Sequence, residues 1–428
     1  MTKPAESSAA SAINTEIGSR ICRACSAPLQ HSVVDLGMHP LCESFLPPEK
    51  LNHMEPFFPL HVLVCDQCWL VQLGQYVSPE EIFTEYAYFS SYSDSWLDHA
   101  KRYCDAMKDR LALGPKSLVV EVASNDGYLL QWFVKLGVPV LGIEPAANVA
   151  KVAVQERNVP TMVRFFGREL ARELVSQGKQ ADLIAGNNVL AQVPDLNDFV
   201  AGLAILLKPG GTVTIEYPHL ARLFAENQFD TIYHEHFSYF SLLATEKIFA
   251  AHGLTVVDVE ELPSHGGSLR VFAQRTDSKP SAPSARVLAV REDERRGQLT
   301  TLEGYQRFAE QVKETKRRLL EFLIATKRAG KTIAGYGAPG KGNTLLNYCG
   351  IRTDFLDFVV DRNPYKHGRF TPGTHIPIFS PEKLAEAKPD YILILPWNLK
   401  KEIAQQLNYT REWGAKLVVP IPTVTVLD

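Results

Sequence analysis

Apolar positions in the middle of the chain switch between two spacings. The segment KSLVVEVASNDGY, from Lys116, holds a β-branched run that ends at Glu121 and a small-residue turn with Gly127. A helical pattern, LLQWFVKLG, comes next, and VPVLGIEP supplies a second apolar run ending at Glu144. Short apolar runs favour strands and a period of 3.6 favours helices, so this order predicts a strand–helix–strand unit.

Two more buried strands are predicted downstream of this unit. ADLIAGNNVLAQVPD reads as a strand and its loop, and LKPGGTVTIEYP as a Gly-Gly turn feeding a strand over Thr212–Glu216. Strands alternating with helices are typical of a parallel sheet. In such a unit a glycine turn permits close approach of a ligand, and an acid at a strand end can accept hydrogen bonds from a ribose diol.

A second strand–turn–helix pattern follows a linker. Asp277 to Pro283 (DSKPSAP) breaks regular structure. Apolar residues then recur at helical spacing from Thr301 to Arg328, which predicts a long amphipathic helix with a solvated charged face.

The next turn, GYGAPGKGN, satisfies two phosphate-binding patterns. Gly335, Gly337 and Gly340 fit GxGxxG, but GxxxxGK is followed by Gly342 instead of the Ser or Thr that holds magnesium, which disfavours ATP hydrolysis. A strand ending at Asp361 is compatible with a dinucleotide. The same turn could instead present backbone amides, Lys341 and Asn343 to the diphosphate of another nucleotide.

Length and charge narrow the class of protein. At about 150 residues per domain, 428 residues predict about three domains. The 45 basic and 48 acidic residues leave a net charge of −3, which argues against a nucleic-acid binder or a polybasic membrane protein. No apolar run approaches the roughly 20 residues of a membrane span, and residues 1–19 form a polar lead-in without a signal-peptide core. An odd number of cysteines favours a reducing compartment, so the expected location is the cytoplasm.

Four of the seven cysteines form two CxxC pairs, Cys22 with Cys25 and Cys65 with Cys68. Two such knuckles complete a tetrahedral four-sulfur shell, which predicts a structural zinc without an open position for substrate. Four unrelated buried thiols and redox chemistry are the alternatives. Cys42, Cys104 and Cys349 have no partner pattern and are interpreted as packed thiols.

Three clusters outside the glycine turns are candidates for chemistry. EYAYFSSYSDSW offers the hydroxyls of Tyr88 and Tyr92 to a cleft wall, with packing between domains as the alternative. YHEHFSYF offers His234 and His236 as bases near neutral pH, against a polar loop or metal ligands. If that segment were extended, both imidazoles would point the same way. His265, in SHGGSLR, is a further cleft candidate.

Taken together, the four-cysteine module, VEVASNDG, GIEP, LKPGG, IYHEHFSYFS, SHGGSLR and GYGAPGKGNTLLN resemble the S-adenosylmethionine (SAM)-dependent sugar C-methyltransferases of deoxysugar biosynthesis. The resemblance covers nearly the whole chain from Cys22 onward. It implies methyl transfer from SAM to a carbon beside a ketone, usually on a TDP-linked deoxysugar. It also implies an α/β architecture: a small zinc module, a central Rossmann-like class I SAM domain and a C-terminal Rossmann-like domain that helps bind the nucleotide sugar.

The family motif assigns roles to residues of this chain. His236 would generate the enolate, and Tyr233 and Glu235 would orient the sugar or stabilise the enolate and its hydrogen-bond network. SAM would be bound by the following set: Glu121, Ala123, Asn125, Gly127, Glu144, Asn187 and Asn188. Trp397 and Asn398 follow the buried strand of DYILILPWNLKKEI, whose carboxyl end would face a ligand crevice, with core packing of Trp397 as the alternative. Together with the patterns above, the candidate substrate contacts are the following: Tyr88, Tyr92, Gln192, His265, Lys341, Asn343, Trp397 and Asn398.

Two departures from the family pattern stand out. Ala123 and Asn125 replace the first two glycines of the usual SAM turn, and Gln192 replaces a histidine near the substrate. Glutamine can form hydrogen bonds but cannot act as a base near pH 7, so the sugar is less determined than the reaction class. Methylation of another acceptor at oxygen, and a noncatalytic SAM- or nucleotide-sugar-binding protein, are the alternatives.

The predicted boundaries are a zinc module over 20–82, a SAM domain over 83–276, a linker and bridging helix over 277–328, and the C-terminal domain over 329–428. We expect no nucleic-acid or membrane partner. The sequence is compatible with a monomer.

Overall fold

The computed structural model describes residues 20–77, 90–92 and 94–427, and of Tyr92 and Asp94 only the backbone. Three sheets of four, seven and six strands organise these residues. The α/β class predicted from the apolar pattern is confirmed, since parallel strands alternate with helices in the second and third sheets.

The first sheet is antiparallel and belongs mainly to the four-cysteine region. Its strands, in spatial order, are β1 (His31–His39), β2 (Phe58–Val64), β3 (Val71–Leu73) and β9 (Ser238–Tyr239). The last strand comes from far along the chain, where Tyr239 pairs with Val71 and Ser238 with Gln72. The segment after the YHEH motif therefore completes the sheet of the N-terminal module.

The second sheet has seven strands in the order β10, β11, β8, β7, β4, β5, β6. The strands are β4 (Val119–Val122), β5 (Val140–Ile143), β6 (Thr161–Met162), β7 (Ala181–Asn187), β8 (Leu207–Pro218), β10 (Leu254–Leu262) and β11 (Ser268–Arg275). Only β11 runs antiparallel to its two neighbours. The carboxyl ends of β4, β5, β7 and β8 consequently lie along one edge.

The Gly-Gly turn predicted in LKPGG lies inside β8. Along the pairing with β7, Ala181 faces Leu207 but Leu183 already faces Thr212, so the residues between Leu207 and Thr212 bulge out of the ladder. Gly210 takes a φ of +79° in this bulge, a conformation that favours glycine.

The third sheet has the order β14, β13, β12, β15, β16, β17. Its strands are β12 (Ile333–Tyr336), β13 (Val359–Val360), β14 (Ile378–Phe379), β15 (Tyr391–Ile394), β16 (Lys416–Val419) and β17 (Thr425–Leu427). All pairs are parallel except β16 with β17.

Twelve helices pack on these sheets in the described part of the chain. They are α1 (Asp94–Arg110), α2 (Leu130–Lys135), α3 (Ala147–Arg157), α4 (Arg168–Ser176), α5 (Leu196–Leu206), α6 (Leu220–Ala225), α7 (Leu242–Ala251), α8 (Ala285–Arg296), α9 (Leu302–Arg328), α10 (Gly340–Cys349), α11 (Lys383–Ala387) and α12 (Lys400–Gln406). No helix among the described residues has the length and apolar content needed to span a bilayer.

The long helix predicted before the C-terminal domain is confirmed as α9. Thr301 precedes it, and its hydroxyl accepts the amide hydrogen of Gly304, which satisfies one open donor of the first turn. Tyr305, Phe308 and Leu319 are fully buried on one face of this helix. They join an apolar cluster that contains residues of the first and third sheets, so α9 binds the N-terminal module to the C-terminal domain.

Candidate functional site

The turn after β4 has the shape of a glycine turn although two of its residues are not glycine. Ala123, Asn125 and Gly127 have φ values of +57°, +48° and +78°. For a residue with a Cβ this region costs about 1 kcal/mol or more, least for asparagine. The strain persists because hydrogen bonds from neighbouring segments hold the turn on both sides.

Glu144 is one of the residues whose hydrogen bonds hold this turn in place. Its carboxylate accepts the amide hydrogens of Asn125 and Ala146, each at 2.9 Å. Burial is the main influence on this group and raises the pKa of its carboxyl, against the two backbone hydrogen bonds that lower it. A carboxylate oxygen has capacity for a second donor, so Glu144 can still accept from a ribose hydroxyl.

Buried acceptor atoms line the same edge without partners of their own. The Oδ1 atoms of Asn187 and Asn188 are buried and accept no hydrogen bond from the described residues. The carboxyl group of Glu121 is buried beside Tyr128. Desolvation raises the pKa of Glu121 well above its usual value. A ligand with a ribose diol, an ammonium group and a sulfonium charge would satisfy such acceptors, so this donor and acceptor set fits SAM.

A short segment that sequence reasoning passed over covers the turn. The amide of Ser90 donates to Asn125 Oδ1 at 3.0 Å, and the Ser91 hydroxyl donates to Asp126 Oδ2 at 2.5 Å. Arg157 donates to the Ser91 hydroxyl at 2.6 Å. The sequence pointed to the tyrosines of this segment and not to its serines, because a serine hydroxyl carries no signal that identifies a distant partner.

A second layer of polar groups lies beyond the carboxyl end of β8 and was also missed. Glu216, which is 0% exposed, accepts from Arg270 at 2.6 Å, pairs with His99 at 2.9 Å and accepts from the Ser264 hydroxyl at 2.7 Å. Burial opposes the charge of Glu216, but these partners prevail and lower its pKa to about 2.

A group of aromatic rings around Trp96, called here the aromatic shelf, packs against these polar groups through His99. The Trp96 ring stacks on His99 at 4.8 Å and on Tyr128 at 5.9 Å, and meets the edge of His265 at 5.2 Å. Tyr128 accepts a hydrogen bond from the Asn187 amide at 3.2 Å, which connects the shelf to the acceptor edge. His265, a predicted cleft residue, therefore lies next to the proposed SAM site.

The YHEH segment forms a turn, so the condition for both imidazoles to point the same way does not hold. The His236 amide donates to the Tyr233 carbonyl at 2.9 Å. His234 lies against Phe58 and the Pro59 carbonyl of the first sheet. The His236 ring instead lies between Tyr233 and Tyr239, with ring centroids at 4.2 and 6.2 Å.

His236 is held in one tautomer. Its Nδ1 lies 3.2 Å from the Thr231 carbonyl oxygen, which can only accept, so Nδ1 carries the proton and Nε2 keeps its lone pair. Burial, followed by the nearby charges of His265 and Lys341, lowers the pKa of His236 to about 4. The imidazole is therefore neutral at physiological pH and able to accept a proton.

The backbone places this imidazole at the sheet edge. The Phe237 amide donates at 2.7 Å to Ala191 in the loop after β7, and Phe240 pairs in parallel with His219, just after β8. Gln192, at the end of the 3-10 turn Leu190–Gln192, is half-buried in the same loop.

Glu235 points toward the N-terminal module. Its carboxylate lies 3.9 Å from the Cys42 thiol, and burial together with the nearby Glu43 raises the pKa of Glu235 to about 8. Lys366 lies 3.6 Å from Glu43.

The C-terminal domain contributes Lys341, Trp397 and Asn398 to the same region. Lys341 donates to Asn398 Oδ1 at 2.8 Å and lies 5.1 Å from the centre of the Trp397 ring. The Trp397 indole donates to Asp230 Oδ2 at 2.7 Å. Asn343 is directed elsewhere, with its amide donating to the Cys42 carbonyl at 2.6 Å.

Two predicted substrate contacts cannot be placed. Tyr88 lies outside the described residues. Tyr92 ends the 3-10 turn Ser90–Tyr92, and its side chain is among the undescribed parts.

The four predicted cysteines come together in space. All four sulfur atoms lie within 4.8 Å of one another, with 3.5 Å between Cys22 and Cys68 and 3.4 Å between Cys25 and Cys65. Four thiolates about 2.3 Å from a central zinc would be about 3.8 Å apart, so the set fits a tetrahedral ion. The Gln72 amide, 3.2 Å from Cys22 Sγ, adds an outer hydrogen bond of the kind that supports metal thiolates.

Comparison with known proteins agrees with this arrangement. Family models match in three consecutive stretches: "Putative zinc binding domain" over 22–83, a methyltransferase domain over 96–259 and a C-methyltransferase C-terminal domain over 263–422. The C-methyltransferase NovU of Streptomyces niveus is 38% identical over 409 residues, 95% of this chain and 96% of NovU.

More distant matches cover a smaller share of the chain. A ubiquinone biosynthesis O-methyltransferase of Rhodopseudomonas palustris strain BisA53 is 26% identical over 161 residues, 32% of this chain and 61% of that protein. The SAM-bound magnesium protoporphyrin IX methyltransferase of Synechocystis PCC 6803 shares 16% identity over 42% of this chain and 82% of its own, with a TM-score of 0.32. The central domain has the class I SAM methyltransferase fold, and the near full-length match to NovU shows that the chain belongs to the family of SAM-dependent C-methyltransferases.

Proposed function

We propose that this enzyme methylates a carbon beside the ketone of a nucleotide-linked keto-deoxysugar, most simply a TDP sugar, and that His236 removes the proton from that carbon. The observation that carries the proposal is the state of His236: neutral, fixed in one tautomer and placed at the carboxyl edge of the SAM sheet. A carbon attached to a ketone must lose a proton before it becomes a nucleophile, which requires a base in this state.

Methyl transfer also needs the acceptor carbon in line with the donor. SAM supplies a methyl group on a sulfonium sulfur, and transfer forms a carbon–carbon bond as the sulfur–methyl bond breaks. In this proposal Glu121, Glu144, Asn187 and Asn188 hold the donor through the acceptors described above. The chain's main contribution is alignment of the two reacting groups and exclusion of water.

The four cysteines are proposed to bind one structural zinc. Their sulfur spacing supports a tetrahedral site, and four protein ligands leave no position for a substrate. The ion would stabilise the module that provides the sheet partner of β9.

Mass spectrometry of reactions with SAM and a panel of TDP-, GDP- and UDP-linked keto-deoxysugars tests the proposal, followed by NMR to locate the new methyl group. We expect a product on carbon. In His236→Asn the value of kcat/KM should fall by about 100-fold or more, with SAM affinity unchanged, because a general base contributes about that much. His53→Asn, at an exposed position, is the matched control.

The outcomes separate the alternatives. A methyl group on oxygen would favour the O-methylation reading, and binding of SAM and sugar with no turnover across the panel would favour a noncatalytic protein. Full turnover in His236→Asn would remove that residue as the base.

A further inference from the structure

Lys341 offers a cation within electrostatic reach of the proposed base. It is the second residue of α10 and is half-buried. Its ammonium group donates one hydrogen bond to Asn398 Oδ1 at 2.8 Å. The same group lies over the Trp397 ring at 5.1 Å. Two of its three hydrogens are left for a ligand.

One short turn positions both Trp397, which lies against Lys341, and His236. Asp230 holds the Trp397 indole at 2.7 Å, and the next residue, Thr231, holds His236 Nδ1 through its carbonyl oxygen at 3.2 Å. Both belong to the 3-10 turn Phe229–Thr231, which is fully buried. The cation of the C-terminal domain and the base of the SAM domain are thus fixed relative to each other by adjacent residues.

The SHGG loop closes against the same indole. A Cβ on Gly266 would be 2.8 Å from the far edge of the Trp397 ring, so this glycine permits the contact, and Gln228 donates to the Gly266 carbonyl at 2.7 Å. Lys341 also contributes to the lowered pKa of both His236 and His265, which agrees with its placement beside them.

The alternative role, binding a diphosphate at the start of α10, is disfavoured by what lies there. A Cβ on Gly340 would be 3.1 Å from a carboxylate oxygen of Glu43 and 2.8 Å from the Cys42 sulfur. The N-terminal module therefore fills the space at this helix end, and a diphosphate would have to displace these side chains.

We propose that Lys341 is a catalytic residue that binds the ketone oxygen of the sugar as it becomes an enolate. The proposal rests on the function proposed above. The carbon–hydrogen bond breaks and its proton moves to His236 Nε2. The electron pair of that bond forms the carbon–carbon double bond of the enolate, and the carbonyl electrons move to the oxygen, where the ammonium group of Lys341 stabilises the negative charge.

Hydrogen exchange isolates this step from methyl transfer. The enzyme is incubated in D₂O with TDP-4-keto-6-deoxyglucose, and with S-adenosylhomocysteine in place of SAM, and NMR follows deuterium entering the carbons beside the ketone. Removing one donor from an oxyanion costs about 100-fold in rate, so exchange at saturating sugar in Lys341→Met should fall by about that factor. Sugar Kd and SAM affinity should remain close to those of the wild type.

Lys400→Met, at an exposed lysine shortly after Asn398, is the matched control and should exchange at the wild-type rate. Unchanged exchange at saturating sugar in Lys341→Met, with a weakened sugar Kd, would overturn the proposal in favour of ground-state binding. Loss of thermal stability together with SAM affinity would also overturn it, in favour of a structural role. If the wild-type enzyme exchanged no hydrogen of TDP-4-keto-6-deoxyglucose and methylated none of the panel sugars, the proposed function itself would fail, which is a separate result.

Discussion

Two side chains of the YHEH turn, His236 and Glu235, have pKa values shifted far from their usual values, and both shifts have the same cause. Both are buried, and burial disfavours the charged form, so the pKa of His236 falls to about 4 while that of Glu235 rises to about 8. Holding the His236 imidazolium in the folded site costs about 3 kcal/mol relative to water. Between these two pH values both side chains are uncharged.

The pH dependence of kcat/KM tests this pair. Protonation of His236 should lower the rate only as the pH falls toward about 4, and deprotonation of Glu235 should lower it above about 8. Glu235→Gln, which is always uncharged, should stay active and lose the basic limb. In Glu43→Gln a like charge is removed, so the pKa of Glu235 falls and the basic limb should move to lower pH. Glu49→Gln, at an exposed position, should leave the profile unchanged, and a basic limb that survives in Glu235→Gln would contradict the assignment.

The two-residue strand β9 connects the cysteine site to the reaction. It pairs with β3, which follows directly after the second CxxC knuckle, and it begins two residues after His236. The N-terminal module therefore supports the proposed base through backbone pairing, while the residues proposed to bind SAM lie on a different sheet.

Loss of one cysteine should impair the support of the proposed base without abolishing SAM binding. In Cys65→Ser we expect the zinc content, about one ion per chain in the wild type, to be lost, and turnover to fall by about tenfold or more because β9 loses its partner. SAM affinity should be largely retained, as measured by calorimetry. Cys349→Ser, at a buried thiol outside the site, should keep its zinc. Wild-type protein purified without any bound zinc would contradict the assignment.

The chain as a whole shares apolar clusters across its modules. One cluster contains Val34 of β1, Leu223 of α6, Phe308 of α9 and Leu345 of α10, all 5% exposed or less. A module cut from the rest would expose part of this surface to water, at about 25 cal/mol for each Å².

A chain ending at Arg328 should therefore not fold on its own. We expect low soluble yield and strong binding of a hydrophobic dye, compared with the full chain prepared in parallel, and a single cooperative unfolding transition for the full chain. A monodisperse truncated protein with a sharp melting transition would contradict this view and would favour independent domains.

Local patterns in the sequence were enough for much of the fold and part of the site. Apolar spacing predicted β4, β5, β7 and α9, because each buries a face that a short window of sequence reveals. The CxxC spacing predicted the cysteine cluster, because each knuckle is a local structure. The family motif singled out His236, but not its tautomer or its lowered pKa.

Contacts between residues far apart in sequence required the folded chain. Such contacts join residue types that are common throughout any sequence, so nothing in the sequence marks them as partners. Examples are the contacts of Glu216 with Arg270 and His99, the hydrogen bond from Ser91 to Asp126, and the pairing of β9 with β3. The left-handed backbone at Ala123 and Asn125 could not be predicted either, because glycine is the residue that usually takes this conformation. The residues define which groups can react, whereas their distances, tautomers and pKa values follow from burial and from neighbours that only the packed chain brings together.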